Sequence, residues 1–188
     1  MKRTVMAGGL ALALVVSGSA CGKVAEKVAE KATGCEDIDA AGEEIGAECD
    51  GVSSKVDSDG NASVTDEDGN SFDVSADGTG ELPEGWPANL APPEGTRIIS
   101  STGSSGNLSL TAGIDGDVTA VYEGIKSQLE GAGYTIEADT VTSAGTGDVA
   151  SVTASGPDVD ASVSVSENQA QAEYGTVLVN WVLTEATG

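Results

Sequence analysis

Three short stretches hold most of the candidate chemistry: DSDGN at 57–61, DEDGN at 66–70 and SADGT at 75–79, with Asp-Gly recurring every nine residues at Gly60, Gly69 and Gly78. Carboxylates at alternate positions before a glycine can ligate calcium, and Asp57, Asp59, Asp66 and Asp68 are the candidate ligands. The pattern departs from two established calcium geometries. A parallel roll must return an apolar residue to the same place in each turn, yet nine residues after Val64 comes Asp73. An EF-hand loop needs glycine at its sixth position and glutamate at its twelfth. Asp-Gly is also the strong two-residue signal for a type I′ hairpin turn, and short alternating runs (Ala62, Val64; Phe72, Val74) separate the pairs. The expectation is a meander of hairpins that requires no metal or other cofactor, with a calcium- or ligand-binding module as the alternative.

The chain has 31 acidic residues, 8 basic ones and no histidine, for a formal charge of −23. Without histidine it lacks the commonest general acid–base and the commonest transition-metal ligand, so Ser-His-Asp and Cys-His nucleophiles cannot form. No P-loop or dinucleotide-binding glycine motif follows a strand. A glycosidase-type pair needs only two carboxylates about 5 to 9 Å apart, but 31 acids single out no pair. The expectation is a protein without catalytic activity. The charge also excludes nucleic acid as a partner, because phosphate binding depends on Lys and Arg displacing counterions.

The three cysteines are Cys21, Cys35 and Cys49. Before Cys21 stand a basic start (Lys2, Arg3), an uncharged apolar run over 4–16, and the small residues Ser17, Gly18, Ser19 and Ala20. That order is a secretory signal, and the run is well short of the roughly 20 residues a spanning helix needs. Gly18-Ser19-Ala20-Cys21 resembles the lipobox of bacterial lipoproteins at its last three positions; at the first, Gly18 stands where leucine is usual. The resemblance implies cleavage before Cys21 and a diacylglycerol on its sulfur. It places the protein on the extracytoplasmic face of a cell membrane with the bilayer as a partner; an unidentified protein or envelope partner is a separate expectation. The alternative is an ordinary signal cut near Ala20, leaving a free thiol. If Lys2 and Arg3 leave with the signal, six basic residues face 31 acidic ones, a formal charge of −25.

Export also makes Cys35 and Cys49 a candidate disulfide, contributing roughly 3 kcal/mol by chain entropy. Ile38, Ala41 and Ile45 fit a helical face, but one helix from 35 to 49 would separate the cysteines by about 21 Å, whereas a disulfide needs Cα atoms within about 7 Å. Gly42 or Gly46 must therefore end that helix.

The elements that hold these groups follow from periodicity. Signal residues 1–20 lead into a lipid-anchored stalk at 21–34, where tandem VAEK repeats give a short amphipathic helix. A disulfide-braced region with Asp-Gly hairpins spans 35–80. Four prolines make 81–95 a stiff linker and a boundary. In 96–188, strands are expected at Arg97–Ser101, Leu108–Ala112, Tyr134–Thr140, Val149–Ala154, Val159–Val165 and Gly175–Thr184. Val118, Val121, Tyr122, Ile125 and Leu129 mark one helix, capped by Asp115 or Asp117 and closed by Gly131 with Gly133. The expected class is α+β: a two-layer sandwich of one helix on an antiparallel sheet (β-β-α-β-β-β-β), preceded by a small disulfide-braced hairpin region. The domain order and the LPEGWPANLAPPEG lead resemble secreted bacterial lipoproteins without assigned activity, a likeness that implies no site.

Overall fold

The computed structural model describes residues 35–41, 44–49, 52–144, 147–170 and 172–186, with backbone placement alone over 35–49. The expected signal segment, Cys21 and the expected stalk at 21–34 lie outside these residues, as do the side chains of Cys35 and Cys49.

Strands β1 (Cys35–Ala41), β2 (Glu44–Cys49), β3 (Val52–Asp57), β4 (Ala62–Asp66), β5 (Ser71–Val74), β6 (Arg97–Ser104) and β7 (Asn107–Ile114) pair in succession, each antiparallel to the next. Helix α1 (Val118–Gly131) then carries the chain to the far edge. From there β8 (Thr135–Ala144), β9 (Gly147–Ser155) and β10 (Val159–Glu167) return strand by strand. The last strand, β11 (Val177–Glu185), enters between β10 and β7. The result is one eleven-stranded sheet in the order β1-β2-β3-β4-β5-β6-β7-β11-β10-β9-β8.

This corrects the expected fold class. The two-layer sandwich confined to 96–188, with a separate hairpin region before it, does not form. The ladder instead crosses the Pro-rich segment, pairing Ser71 with Gly103, Phe72 with Thr102, Asp73 with Ser101 and Val74 with Ser100. The physical reason lies in β6, which would otherwise be an edge strand with a row of unpaired backbone groups that β5 now satisfies. No disulfide is found among the described residues, and the one expected between Cys35 and Cys49 falls on side chains that lie outside them. Residues 35–49 form a hairpin rather than a broken helix, with Cys35 opposite Cys49 and Ala40 opposite Ile45. Ile45, Ala47 and Cys49 alternate with Glu44, Gly46 and Glu48, a period of two that suits a strand.

The core lies under the helix. Val118, Tyr122, Ile125 and Leu129 are buried, and α1 packs on β8, β9 and β10. Alanines at 150, 154 and 161 give the helix room on those strands, while Val152, Val163 and Val165 fill the layer. The Asp117 carboxylate caps the helix by accepting from Thr119 N and Ala120 N at 3.0 and 3.1 Å. Gly133 ends it at φ 88°, its N–H donating to Glu130 O.

Beyond β10 the Pro-rich segment takes over as cover. Leu90, in a single 3₁₀ turn (Ala88–Leu90), is fully buried. Trp86 meets Trp181 of β11 edge-on, with centroids 6.1 Å apart and planes at 75°, and its Nε1 donates to Leu90 O at 2.9 Å. Gln128 of the helix donates to Ala91 O at 2.6 Å, which fastens this strap to α1. A segment expected as a linker is thus part of the core.

Two substitutions check this account. Leu90→Ala should cost about 2–5 kcal/mol in denaturant unfolding, the range for a fully buried leucine, where a true linker residue would cost almost nothing. Gly133→Ala should cost about 1 kcal/mol from backbone conformation alone, because nothing lies within 4 Å of the added Cβ.

Candidate functional site

The Asp-Gly motifs are the first place to look, and their carboxylates are already occupied. In the β3–β4 loop Asp57 N donates to Asn61 O at 3.0 Å and Gly60 N to Asp57 O at 3.2 Å, with Gly60 at φ 88°. That is a three-residue hairpin loop, a type I turn followed by a left-handed glycine, and it replaces the expected two-residue type I′ turn. Asp57 Oδ1 accepts from Asp59 N and Asn61 N, and Asp57 Oδ2 accepts from Asn61 Nδ2. Asp66 repeats the arrangement with Asp68 and Asn70 in the β4–β5 loop. The asparagine side chain, followed by the loop N–H groups, holds each of these two carboxyls below its ordinary pKa.

The four aspartates expected as calcium ligands are not brought together. The two loops cap opposite ends of the five-residue strand β4, so roughly 13–17 Å of strand separates them at about 3.3 Å per residue. Among the described residues no group of three acidic or cysteine side chains is placed to hold a metal. The nine-residue period is thus one strand plus one loop of a meander, with no stacked solenoid turn.

The third motif does different work. Asp77 Oδ1 accepts from Ser75 Oγ at 2.8 Å, Thr79 N at 3.0 Å and Thr79 Oγ1 at 2.6 Å, and these bonds, Thr79 first, bring its carboxyl down to about 2. The loop it shapes docks on the sheet. Ser75 N donates to Ile99 O, Gly80 N to Ile98 O, Ala76 N to Asn61 Oδ1, and Tyr174 Oη to Ala76 O. Gly80 has to be a glycine, since a Cβ there would stand 2.9 Å from both Ile98 O and Ile98 Cγ2.

This docking walls a groove of about 460 Å³ on the helix side of the sheet, past the end of the strap. Ser63, Ser71, Asp73 and Ser101 form its floor, and residues 79–84 with Ile98 its wall. A β-bulge between Ile98 and Ser100 turns both Ile98 and Ser101 toward this face, as bulges beside functional sites do. Ser101 is only 2% exposed, and among the described residues its hydroxyl has no protein partner; it opens into the groove. Asp73 is paired in register with Ser101 and is half-buried. Burial, then the Glu81 carboxylate, pushes the Asp73 carboxyl above its ordinary pKa. Glu81 and Glu84 line the groove and no Lys or Arg does; Lys55, in register with Ser63, is one strand further out.

Ser101 and Asp73 were not singled out by sequence. Asp73 is one of nine acids crowded into 57–84 and Ser101 is a strand end. One signal was available: Ile98-Ile99-Ser100-Ser101 breaks alternation, which is what an extra residue in a strand looks like. The chain matches no protein-family model, no curated protein and no solved structure.

Two outcomes follow from the titrating groups. Asp73→Asn should raise the melting temperature at pH 7, because a carboxyl whose pKa is raised by folding penalises the fold when ionised. The gain should vanish as pH falls below the ordinary carboxylate value of 3.8, where the wild-type group is also neutral. Asp77→Ala should do the reverse. Its depressed pKa stabilises the fold above 3.8, and that contribution disappears as pH falls toward about 2, so variant and wild type should converge in melting temperature over that window.

Proposed function

We propose that this protein is a lipid-anchored, non-catalytic binding module on the extracytoplasmic face of a cell membrane, and that the groove over Ser101 and Asp73 meets its ligand or envelope partner. The observation that carries the binding reading is Ser101, a buried residue whose hydroxyl reaches a polar groove beside a carboxylate that folding disfavours. Groups that cost stability where they stand are characteristic of sites kept for binding.

The absence of histidine supports a non-catalytic role, as does the lack of a hydrogen bond between Ser101 and Asp73 among the described residues, since an activated serine needs a base within bonding reach. The anchor is supported by the order of basic start, apolar run, small residues and Cys21, and by the likeness of Gly18-Ser19-Ala20-Cys21 to a lipobox. One acyl chain binds a membrane only marginally, whereas the two of a diacylglycerol hold firmly.

Intact mass measurement of the protein from a membrane fraction is the test. Cys21 is expected as the N-terminal residue with a diacylglycerol mass, and Cys21→Ser should release the protein from the membrane. A soluble wild-type protein with an unmodified Cys21 would overturn the anchor.

A further inference from the structure

We propose that the groove accepts an alkylammonium group, with the Asp73 and Glu81 carboxylates as charge partners and the Ser101 hydroxyl as a third acceptor. The inference rests on reading the groove as a binding site, and is independent of the lipid anchor.

Three observations converge on it. The first is the sign of the charge: Asp73, Glu81 and Glu84 line the groove with no Lys or Arg among the lining residues. Asp73 and Glu81 are close enough to repel, a cost that a bound cation would remove. The second is independent of charge. Ser101, only 2% exposed in a row that continues through Leu110 to Trp181, lines the cavity and makes no protein hydrogen bond among the described residues. None of their buried side-chain polar atoms is left without a partner, so its hydroxyl reaches the groove, where a ligand N–H can take the place of solvent. The third is donor count. An ammonium carries three N–H donors, which match two carboxylates and one hydroxyl oxygen. A bare divalent ion is a poorer match, because among the described residues no three acidic groups converge. A neutral sugar is also a poorer match, since no aromatic side chain lines the groove.

The wall sets what else the ligand can be. Leu82, Pro83 and Ile98 place apolar carbon beside the polar floor, where the methylene stem of an amine can lie. Such a group could come from a free diamine or polyamine, or from a lysine side chain of a peptide.

Calorimetric titration of the full mature chain separates these cases. The probes are 1,5-diaminopentane, Nα-acetyl-lysine methylamide, tetramethylammonium and trehalose, at low and at moderate salt. The two primary amines are expected to bind, weakening roughly tenfold or more in Asp73→Asn and several-fold in Ser101→Ala, as loss of a charge-assisted hydrogen bond implies. A clear preference for the diamine over the lysine derivative assigns a free amine, and the reverse assigns a peptide. Glu81→Gln, on an exposed side chain, should weaken both without threatening the fold. Tetramethylammonium, with the charge and no donors, should not distinguish wild type from the variants. Equal amine affinity in wild type and Asp73→Asn, or tetramethylammonium binding as well as the diamine, would mean diffuse attraction to an acidic protein and overturn the inference. Trehalose heat that is lost in Ser101→Ala, without amine binding, would overturn the ammonium but leave the groove as a binding site. No heat from any probe with a folded wild type would overturn both.

Discussion

A helix is about 10 Å across and strands lie about 4.8 Å apart, so one helix can cover only two or three strands of a sheet. This chain has eleven strands and, among the described residues, one α-helix. Almost everything else about the structure answers that mismatch. Under α1 the sheet is apolar and packed on β8 to β10. Just beyond it, on β11 and β7, the layer is completed without a helix by Leu90, and by Trp86 against Trp181. Further out, among the described residues, neither the helix nor the strap covers the sheet, and the chain changes what it presents there.

It does so by inverting the polarity of the sheet. Side chains alternate strictly along a strand, and the register links Val152, Val163, Trp181, Leu110, Ser101, Asp73, Ser63 and Lys55 in one row across the front. That row is buried and apolar as far as Leu110 and polar from Ser101 outward. The back shifts the other way. Over β9 to β11 it mixes Ser151, Thr153, Ser162 and Asn180 with Val149, Leu178 and Val182, whereas over β3 to β5 it is richer in apolar residues, with Val52, Val56, Val64, Val74 and Phe72, the last 49% exposed. The groove lies at the front of this changeover, where the covering layer has ended and the strands have begun to present hydroxyls and carboxylates. Its location follows from the limit on what the helix and strap can cover.

Local pattern made several parts legible. The helix spacing from Val118 to Leu129, the clean alternation from Val159 to Val165 and the apolar run of the last strand all rest on contacts within one element, and the buried residues fall where that periodicity puts them. The prolines misled because proline restricts its own backbone and says nothing about what the segment touches: Leu90 reads as a loop residue and is as buried as any in the core. The Asp-Gly motifs were legible as turns, yet the loops are three-residue ones, since Asn61 and Asn70 close them through hydrogen bonds to the first aspartate. Over 35–49 the triplet Ile38, Ala41 and Ile45 read as a helix cut short by glycine, and pairing of β2 with β1 and β3 overrode it.

The sequence by itself determined the chemistry of the chain: strong negative charge, no histidine, Asp-Gly turns, a cysteine after an apolar run and four small residues, and one amphipathic helix. These are properties of composition or of residues a few positions apart, and short-range physics reads them directly. Only the tertiary structure decided that β5 pairs with β6 across the Pro-rich segment, that this segment roofs Trp181, and that Ser101 stands opposite Asp73 beneath residues 79–84. Ser101 and Asp73 are 28 positions apart, and what joins them is the need of β6 for a hydrogen-bonding partner. That need can be met only by whichever strand the folded chain brings alongside, so the groove is a product of strand pairing across a long loop.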